Sequence, residues 1–430
     1  MNMARQDVVI TGMGVISPIG QSIAELHRSV LDNRSGIQLW ESALLSKGVP
    51  AGIIADDFSS QFSKIELPYM DRCSQIAILA AEQAMQDAGI DRFESYAQRA
   101  GLYYGSVGGG VQTEHEWVRQ FHVNHVEVSK PFTIMASMLN AAPALISIRH
   151  KILGPVVTNS SACSSSGAAI GEACRAIRDG YLDIALVGGA EAALSPTFIS
   201  LWGGLRALAS VDADDVTRSC RPFSIDRSGL VVSEGSVFLV VESRAHAEQR
   251  GANCYAKLSG YGIASDGHHI GSPNALGQAA ALRAALADAT LAPEQIDYYN
   301  AHATATRGGD PIEAAAIREV FGDSTERLPV SSTKGIHGHL LGAASAIELA
   351  ICVLAVCDSF LPATAHLVEP DPECGLQHVA GKPVPGHALE HAMSLSAGFG
   401  GTNVALAVSK EHDLPRRTLP AESSVNRVPQ

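Results

Sequence analysis

The sequence predicts an α/β protein built from two βαβ-type halves of similar fold. Three observations support this prediction. The chain has 430 residues, which is too long for one simple hydrophobic core. Short β-branched or apolar runs alternate with longer Ala-rich stretches at helical spacing, as expected for strands alternating with helices. The order of these elements is the same in both halves of the chain, although the individual residues match only weakly.

The first half opens with an apolar strand and a glycine pair. Residues 7–20 read DVVITGMGVISPIG and predict a strand followed by a glycine turn. Gly12 and Gly14 lack the third glycine and the later acidic residue of a dinucleotide-binding fingerprint, so we do not predict NAD binding. Residues 71–89 predict a helix with an Asp start and a Gly stop. Residues 100–110 predict a strand that ends in a glycine cluster, without the GKS or GKT of a phosphate loop.

The stretch 155–180 carries the first candidate for chemistry. A β-branched run gives way to a turn of Ser, Ala and Cys, and apolar residues then recur at helical spacing until Gly180. Cys163 therefore lies at a strand-to-helix turn, where free N–H groups and the helix dipole favour a thiolate. The alternative is that Cys163 is a small buried apolar residue, as free cysteines often are. Two apolar runs follow and predict central strands at 182–191 and 234–243.

The second half repeats this order of elements. The strand and Gly-x-Gly turn recur at 256–267, the Ser-rich turn and Ala-rich helix at 331–356, and the last strand at 402–409. We therefore place an N-terminal half at 1–250 and a C-terminal half at 251–410. The remaining residues, 411–430, are polar and rich in proline, which predicts a disordered tail.

Composition and charge exclude several classes of function. The formal charge of −13 argues against nucleic acid as a partner, because binding phosphates needs a concentrated basic surface. The eight cysteines are scattered without CxxC spacing, which indicates neither a zinc site nor a disulfide framework and favours a reducing compartment. We see no charged and apolar leader and no apolar run of 18 or more residues, so we expect a cytoplasmic protein without a membrane span.

Two histidines of the second half lie in loops beside glycines and hydroxyl residues. His302 follows an apolar stretch, and His339 lies at the start of a helix, shortly after Lys334. A single histidine is more often structural than catalytic, although histidine is the commonest general acid or base. Together with Cys163, these residues suit a covalent reaction in which an oxyanion develops.

A metal site is the alternative explanation for the histidines at 268, 269 and 337. These residues have no further ligand type at a fitting spacing in the sequence, so we predict no zinc site.

Five sequence blocks together resemble the elongating β-ketoacyl-ACP synthases, the Cys-His-His condensing enzymes of the thiolase fold. The blocks are SSACSSSGAAIGEA (160–173), RPFSIDRSGLVVSEG (221–235), NAHATATRGGDPIEA (300–314), SSTKGIHGHLLGAASAIE (331–348) and SAGFGGTN (396–403). The resemblance runs from about Val8 to Lys410 and implies duplicated halves in a five-layer αβαβα arrangement.

The resemblance also implies an activity. Acyl carrier protein (ACP) would deliver an acyl group to the enzyme, malonyl-ACP would lose CO2, and a decarboxylative Claisen condensation would yield 3-oxoacyl-ACP, in fatty acid, polyketide or polyene synthesis. The phosphopantetheine belongs to the carrier, so no cofactor or metal is implied for the enzyme itself. Members of this family pair through a central strand, which implies a homodimer or a heterodimer with a related chain.

The resemblance implies roles for individual residues. Cys163 corresponds to the acyl-accepting nucleophile, and His302 and His339 correspond to the pair that binds the malonyl thioester carbonyl and stabilises the enolate. Lys334 corresponds to the lysine that orients the site, with Glu348 as its ion-pair partner. It implies an oxyanion hole from the N–H groups of Cys163 and Phe399, and a structural network of Asp310 and Glu313 around Lys334, which is favoured over a catalytic carboxylate pair. The implied substrate-binding residues are Thr304, Thr306, Trp202, Val107, Ile134 and Phe399. The implied carrier-docking residues are Lys64, Arg72 and Arg206.

The sequence departs from the family pattern at several positions. Ala303 and Ala305 replace residues that are usually Gly, and Gly or Ser. We expect the methyl group of Ala303 to shift the turn that holds His302 if that position requires a positive φ. His337 stands where Thr is common, and Ser233 stands where Gly is common. These changes favour a dedicated pathway over housekeeping fatty acid synthesis.

Two alternatives to the condensing enzyme remain. A noncatalytic partner subunit of the chain-length-factor type would contribute only shape and dimer contacts, but such partners lack the nucleophile that Cys163 provides. A biosynthetic thiolase would carry a second cysteine in a C-x-G context, where this chain has SAGFGGTN. Acyl length, unsaturation and the identity of the carrier stay open.

Overall fold

The computed structural model describes residues 6–417. The strands are β1 (Val8–Ile16), β2 (Ile37–Trp40), β3 (Val49–Gly52), β4 (Ala100–Gly105), β5 (Val156–Asn159), β6 (Ile184–Glu191), β7 (Val232–Ser233), β8 (Gly235–Ser243), β9 (Ala256–Ser265), β10 (Tyr298–Asn300), β11 (Val330–Ser331), β12 (Phe360–Leu361), β13 (Val384–Pro385), β14 (His391–Ala397) and β15 (Thr402–Lys410). The α-helices are α1 (Ile23–Leu31), α2 (Arg72–Ala88), α3 (Val111–Val123), α4 (Thr133–Ser137), α5 (Ala141–His150), α6 (Ser165–Arg178), α7 (Pro196–Gly204), α8 (Arg244–Gln249), α9 (Ala275–Ala289), α10 (Gly309–Phe321), α11 (Lys334–His337) and α12 (Ala344–Asp358).

The main sheet has ten strands in the order β11-β10-β14-β15-β9-β1-β8-β6-β4-β5. Its two halves meet where β1 and β9 pair antiparallel, through Val9 with Lys257 and Ile10 with Ala256. Outward from this join, each half has two antiparallel pairings and then two parallel ones. The matching strand order and directions confirm the prediction of two halves with similar fold.

Helices cover and separate the two halves. Helices α6 and α12 lie in the middle, where each packs on strands of both halves, and every residue of α12 from Ala344 to Val356 is buried. Helices α2 and α9 pack on the outer faces of the sheet. The layers therefore run helix, sheet, helix, sheet, helix.

The sequence-based expectation that no apolar run reaches 18 residues was wrong. Leu341–Asp358 is an 18-residue segment apolar enough by composition to cross a membrane, but 89% of it is buried inside the protein. Its apolar character follows from its position in the middle layer, where both sides of the helix contact a sheet.

The glycine pair near the start of each half lies within a strand, so the predicted Gly-x-Gly turns were wrong. A Cβ atom on Gly12 would lie 2.3 Å from the carbonyl oxygen of Ala84 in α2, and one on Gly14 would lie 2.1 Å from that of Ala80. In the second half, Gly260 and Gly262 make the same close approach to α9, with distances of 2.4 and 2.1 Å. These glycines allow a helix to pack directly on the strand backbone.

Residues 411–417 are ordered, which corrects part of the predicted disordered tail. Leu414 packs in a small apolar cluster with Val9 and Cys254, and Arg244 donates to Glu411 at 2.6 and 2.8 Å. The backbone N–H of Arg417 donates to the carbonyl of Cys254. Residues 411–417 therefore contact both halves close to the point where they meet. The remainder of the predicted tail lies outside the described residues.

Candidate active site

The two halves bring their outer parallel strands to one cavity of about 1170 Å³. Strand β5 leads into the turn that carries Cys163, β10 leads into the loop of His302, and β11 leads into α11 and His339. The carboxyl ends of parallel strands meet at one edge of a sheet, which is why side chains distant in sequence converge here. Sγ of Cys163 and ring nitrogens of His302 and His339 all lie within 4.8 Å of one another.

Cys163 lies in a short 3-10 turn that begins the buried helix α6. The neighbouring Ser164 hydroxyl donates to the carbonyl oxygens of Ser396 and Thr402, at 2.9 and 2.7 Å, which anchors the turn to the second half. Burial raises the pKa of the Cys163 thiol to about 11, although the charge of Lys334 and the N–H of Phe399 lower it. Desolvation therefore opposes the expected thiolate more strongly than the nearby charge and N–H groups favour it.

The loop of His302 is held by a carboxylate. The backbone N–H groups of His302 and Ala303 donate to the two oxygens of Glu313, at 2.8 and 2.7 Å, and the Tyr299 hydroxyl donates to the same residue at 3.2 Å. Burial raises the pKa of Glu313 to about 7, and these N–H donors act in the opposite direction. Glu313 thus fixes the backbone on which the imidazole of His302 stands.

The second imidazole lies directly against the thiol. Nε2 of His339 is 3.0 Å from Sγ of Cys163, and the two histidine rings are 5.3 Å apart at an interplanar angle of 82°. Burial, and then the positive charge of Lys334, hold the pKa of both His302 and His339 well below the usual range. Two neutral imidazoles therefore face one sulfur atom. A neutral imidazole keeps one N–H group, which can donate a hydrogen bond to an oxyanion.

Lys334 is fully buried beneath the two histidines. Its ammonium group donates to Glu348 in a short hydrogen bond and lies 3.5 Å from Nδ1 of His302. The hydroxyl of Ser396 also donates to Glu348, at 3.3 Å. A buried charge requires a partner of opposite sign, and Glu348 supplies it, as the sequence analysis expected.

Asp310 makes its hydrogen bonds away from the Lys334–Glu348 pair, although the charge of Lys334 acts to lower its pKa. Its carboxylate accepts the backbone N–H of Phe223 at 2.8 Å and lies 3.8 Å from the guanidinium of Arg227. Burial raises the pKa of Asp310 to about 6. Asp310 therefore joins the 221–235 block to α10, whereas Glu313 is the carboxylate that holds the His302 loop.

Most of the predicted substrate-binding residues line the cavity. Thr304, Thr306, Trp202 and Phe399 all do so. The rings of Trp202 and Phe399 lie 5.7 Å apart, so the bulky indole packs against the residue predicted to gate the cavity.

Two residues predicted for the acyl pocket do not line the cavity in this chain. Val107 donates its backbone N–H to Glu191 in a short hydrogen bond, and Ile134 is 71% exposed on α4. The pocket role of both residues therefore stays a prediction.

The three residues predicted for carrier docking differ in their surroundings. Lys64 is exposed and Arg206 is exposed at the cavity mouth. Arg72 instead donates to Glu234 at 2.8 Å and to the carbonyl oxygens of Ile54 and Asp56 at 2.7 and 2.9 Å. Its guanidinium is bound mainly within the fold, so the docking role of Arg72 stays a prediction.

In the loop that carries His302, the residue with an unusual backbone conformation is Ala305. Its φ is +65°, in the left-handed region, whereas Ala303 is not among the residues with positive φ. The condition under which Ala303 would shift the His302 turn is therefore not met. A non-glycine residue in this region costs about 1–2 kcal/mol, and Ala305 bears that cost inside a buried cluster.

Sequence reasoning missed Glu191, the last residue of β6. Its side chain is fully buried and accepts hydrogen bonds from the N–H groups of Val107 and Gly108 and the hydroxyl of Ser106. Burial raises the pKa of Glu191 to about 7. A charged residue that ends an otherwise apolar central strand was the available signal in the sequence.

In the described part of the chain, the only group of three or more His, Cys, Asp or Glu residues with metal-ligand spacing is Cys163, His302 and His339. The ammonium of Lys334 lies 3.5 Å from Nδ1 of His302 and is paired with Glu348. The same three atoms are well placed to surround one substrate atom.

The duplicated fold and a thiol facing two neutral imidazoles define an enzyme that forms a covalent thioester and stabilises a developing oxyanion. Models of this class match the chain over most of its length: the N-terminal domain of beta-ketoacyl synthase over residues 5–247 and the C-terminal domain over residues 255–368. The chain belongs to the beta-ketoacyl synthase family.

Named relatives cover nearly the whole chain. Nodulation protein E of Rhizobium leguminosarum bv. trifolii is 38% identical over 93% of this chain and 98% of its own length. The 3-oxoacyl-[acyl-carrier-protein] synthase 2 of Coxiella burnetii is 34% identical over 96% of this chain and 100% of its own length. A solved structure of the ishigamide ketosynthase/chain length factor superimposes with a TM-score of 0.87 at 31% identity, covering 95% of this chain and 100% of that one. This similarity confirms the predicted thiolase-like fold.

Proposed function

We propose that this enzyme condenses an acyl group with a malonyl group, both carried by acyl carrier protein, and releases 3-oxoacyl-ACP. The observation that carries the proposal is the convergence of one thiol and two neutral imidazoles within 4.8 Å at a single cavity. The Coxiella relative, whose name states this activity, supports the choice of substrates.

The reaction proceeds in two parts. Cys163 first attacks the acyl thioester; its S–H proton passes to the departing carrier thiol, and His339 Nε2, 3.0 Å from Sγ, is placed to assist this transfer. The C–C bond to the malonyl carboxylate then breaks, CO2 leaves, and the electron pair forms an enolate. His302 and His339 donate hydrogen bonds to its oxygen. The enolate carbon attacks the Cys163 thioester, and the sulfur leaves as a thiolate that takes a proton from solvent water.

The backbone supplies the second oxyanion site. The N–H groups of Cys163 and Phe399 both face the sulfur of Cys163, where they lower its pKa against the larger effect of burial. When the thioester carbonyl occupies this position, the same donors stabilise its tetrahedral oxyanion. Burial, and then the charge of Lys334, keep both histidines neutral, so we assign Lys334 an orienting and electrostatic role.

The noncatalytic alternative, a subunit of the chain-length-factor type, finds less support. Such a subunit has no need for a hydrogen bond between a thiol and an imidazole, or for a buried lysine beside the second imidazole. An acyl adduct on Cys163 distinguishes the two functions.

We also propose a dimer with a second copy or with a related chain. Strand β5 is an edge of the ten-stranded sheet, and its Val156 is 40% exposed. Helix α3 has no buried residue, and the segment that follows exposes many apolar side chains, among them Val128, Ile134 and Met135. An exposed strand edge and a large apolar surface are both typical of an interface.

The carrier is proposed to dock at the mouth of the cavity. Lys64 and Arg206 provide exposed positive charge in a protein whose formal charge is −13, and Thr304 and Thr306 line the way to Cys163 for the pantetheine arm. Because the carrier brings that arm, we propose that the enzyme works without a cofactor or metal. We also propose that it works in the cytoplasm.

The decisive experiment is mass spectrometry of the protein after incubation with a panel of acyl-ACPs, followed by malonyl-ACP. We expect an acyl thioester on Cys163 that disappears as 3-oxoacyl-ACP forms, and the preferred chain would separate a housekeeping from a dedicated pathway. A Cys163→Ala variant that still condenses would overturn the proposal. His302→Ala should stop CO2 release. His391→Ala, at the start of strand β14 and outside the cavity lining, serves as the matched control and should not.

A further inference from the structure

His337 is a fully buried imidazole that does not line the cavity. Nδ1 lies 2.7 Å from the carbonyl oxygen of Gly338, and Nε2 lies 3.0 Å from the hydroxyl of Thr333. A carbonyl oxygen can only accept, so Nδ1 carries the hydrogen and Nε2 accepts from the Thr333 hydroxyl. That hydroxyl oxygen in turn accepts from the side-chain amide of Asn300 at 3.3 Å. Both ring nitrogens of His337 are thus satisfied in a single tautomer.

The carbonyl that His337 binds belongs to the peptide that joins Gly338 to His339. The N–H of the same peptide donates to the carbonyl of Val231 at 2.7 Å, and the carbonyl of His339 accepts from the N–H of Ser233 at 2.9 Å. Gly338 has a φ of +69°, and a Cβ there would lie 3.0 Å from Cβ of Ser233. The turn therefore has a conformation that favours glycine, and hydrogen bonds hold the peptide that follows it.

The ring of His339 has little support of its own. Its Nδ1 is buried without a hydrogen-bond partner, while its Nε2 contacts Cys163. The direction of this imidazole is therefore set by its backbone and by packing. The His337–Gly338 hydrogen bond acts directly on that backbone, one peptide away from the reacting histidine.

We propose that His337 is a positioning residue for His339: its Nδ1–H holds the Gly338 carbonyl and thereby keeps Nε2 of His339 beside the sulfur of Cys163. His337 touches neither substrate nor sulfur and acts through the peptide. Burial, and then the charge of Lys334, lower the pKa of His337 to about 3, so the ring keeps this tautomer throughout the working pH range. The catalytic consequence rests on the proposed condensation; the effect on Cys163 does not.

Two substitutions separate the two hydrogen bonds of His337. In His337→Asn, the side-chain amide nitrogen can take the place of Nδ1 and bind Gly338. In His337→Gln, the longer amide takes the place of Nε2 and binds Thr333 instead. We expect the Asn variant to keep kcat within about threefold of the native enzyme, and the Gln variant to lose about 10- to 100-fold in kcat with little change in KM, because a misplaced reacting group costs rate and leaves binding intact.

A second measurement is independent of the condensation. The rate at which iodoacetamide alkylates Cys163 at pH 8 should fall in His337→Gln and in His339→Ala, and stay near the native rate in His337→Asn. Equal rates for the Asn and Gln variants in both assays, or losses that follow thermal stability alone, would overturn the positioning role. A change in alkylation by the Gln variant, in a protein that condenses no carrier-bound substrate, would support the positioning role and refute the proposed function.

Discussion

The protonation of Cys163 gives the most direct test of the site's electrostatics. Burial raises the pKa of this thiol from 9.0 to about 11. Deprotonating Cys163 in the folded protein therefore costs about 2.7 kcal/mol more free energy than deprotonating an unperturbed thiol. At pH 8 about one molecule in a thousand would then carry a thiolate at Cys163, compared with roughly one in ten at the unshifted value.

The assay is alkylation of the Cys163 peptide by iodoacetamide, followed by mass spectrometry between pH 7 and 10. Only the thiolate reacts, so the rate should rise about tenfold per pH unit with no plateau in this range. Glutathione in the same tube should level off near its own pKa and serves as the control. A plateau for Cys163 at or below pH 8.5 would refute the reasoning, since it would show that the helix dipole and Lys334 outweigh burial.

Three further predictions concern other parts of the structure. Glu313 has a pKa raised to about 7 by burial, and its carboxylate holds the His302 loop; condensation should fall as the pH drops below 7, and Glu313→Gln should remove that dependence. The pKa of Glu313 in the folded protein exceeds its unfolded value of 4.5. Its contribution to the free energy of unfolding should therefore be greatest at acidic pH and decline as the pH rises through 7. Urea unfolding at several pH values should show this decline in the native protein and not in Glu313→Gln. Gly14→Ala should destabilise the fold by about 3 kcal/mol or more through overpacking against α2, whereas Gly203→Ala, with open space around it, should change stability by no more than about 1 kcal/mol. Arg72→Ala should lower the melting temperature without raising KM for the carrier. Lys64→Ala should raise KM for the carrier without lowering the melting temperature. A higher KM in Arg72→Ala would support its docking role.

The environment of a residue was the hardest property to predict. The partner of Arg72 is Glu234, 162 positions away, and no local pattern around residue 72 announces that pairing. The glycines of β1 looked like a turn because the carbonyl groups they approach belong to α2, far along the chain. Ile134 was placed in the acyl pocket by resemblance, yet it is exposed in the single chain.

The sequence by itself determined the elements and the chemistry they carry. Helix α2 begins after Asp71, which caps it, and ends before Gly89 at a φ of +71°, as the local pattern predicted. The repeated order of strands and helices, the turn that carries Cys163 and the loops of both histidines were all visible without coordinates, because periodicity and turn chemistry are local. Only the tertiary structure decided the protonation of Cys163, the neutrality of the histidines and the division of work between Asp310 and Glu313. These properties depend on desolvation and on charges from the opposite half, and such forces act through space once the two halves have packed together.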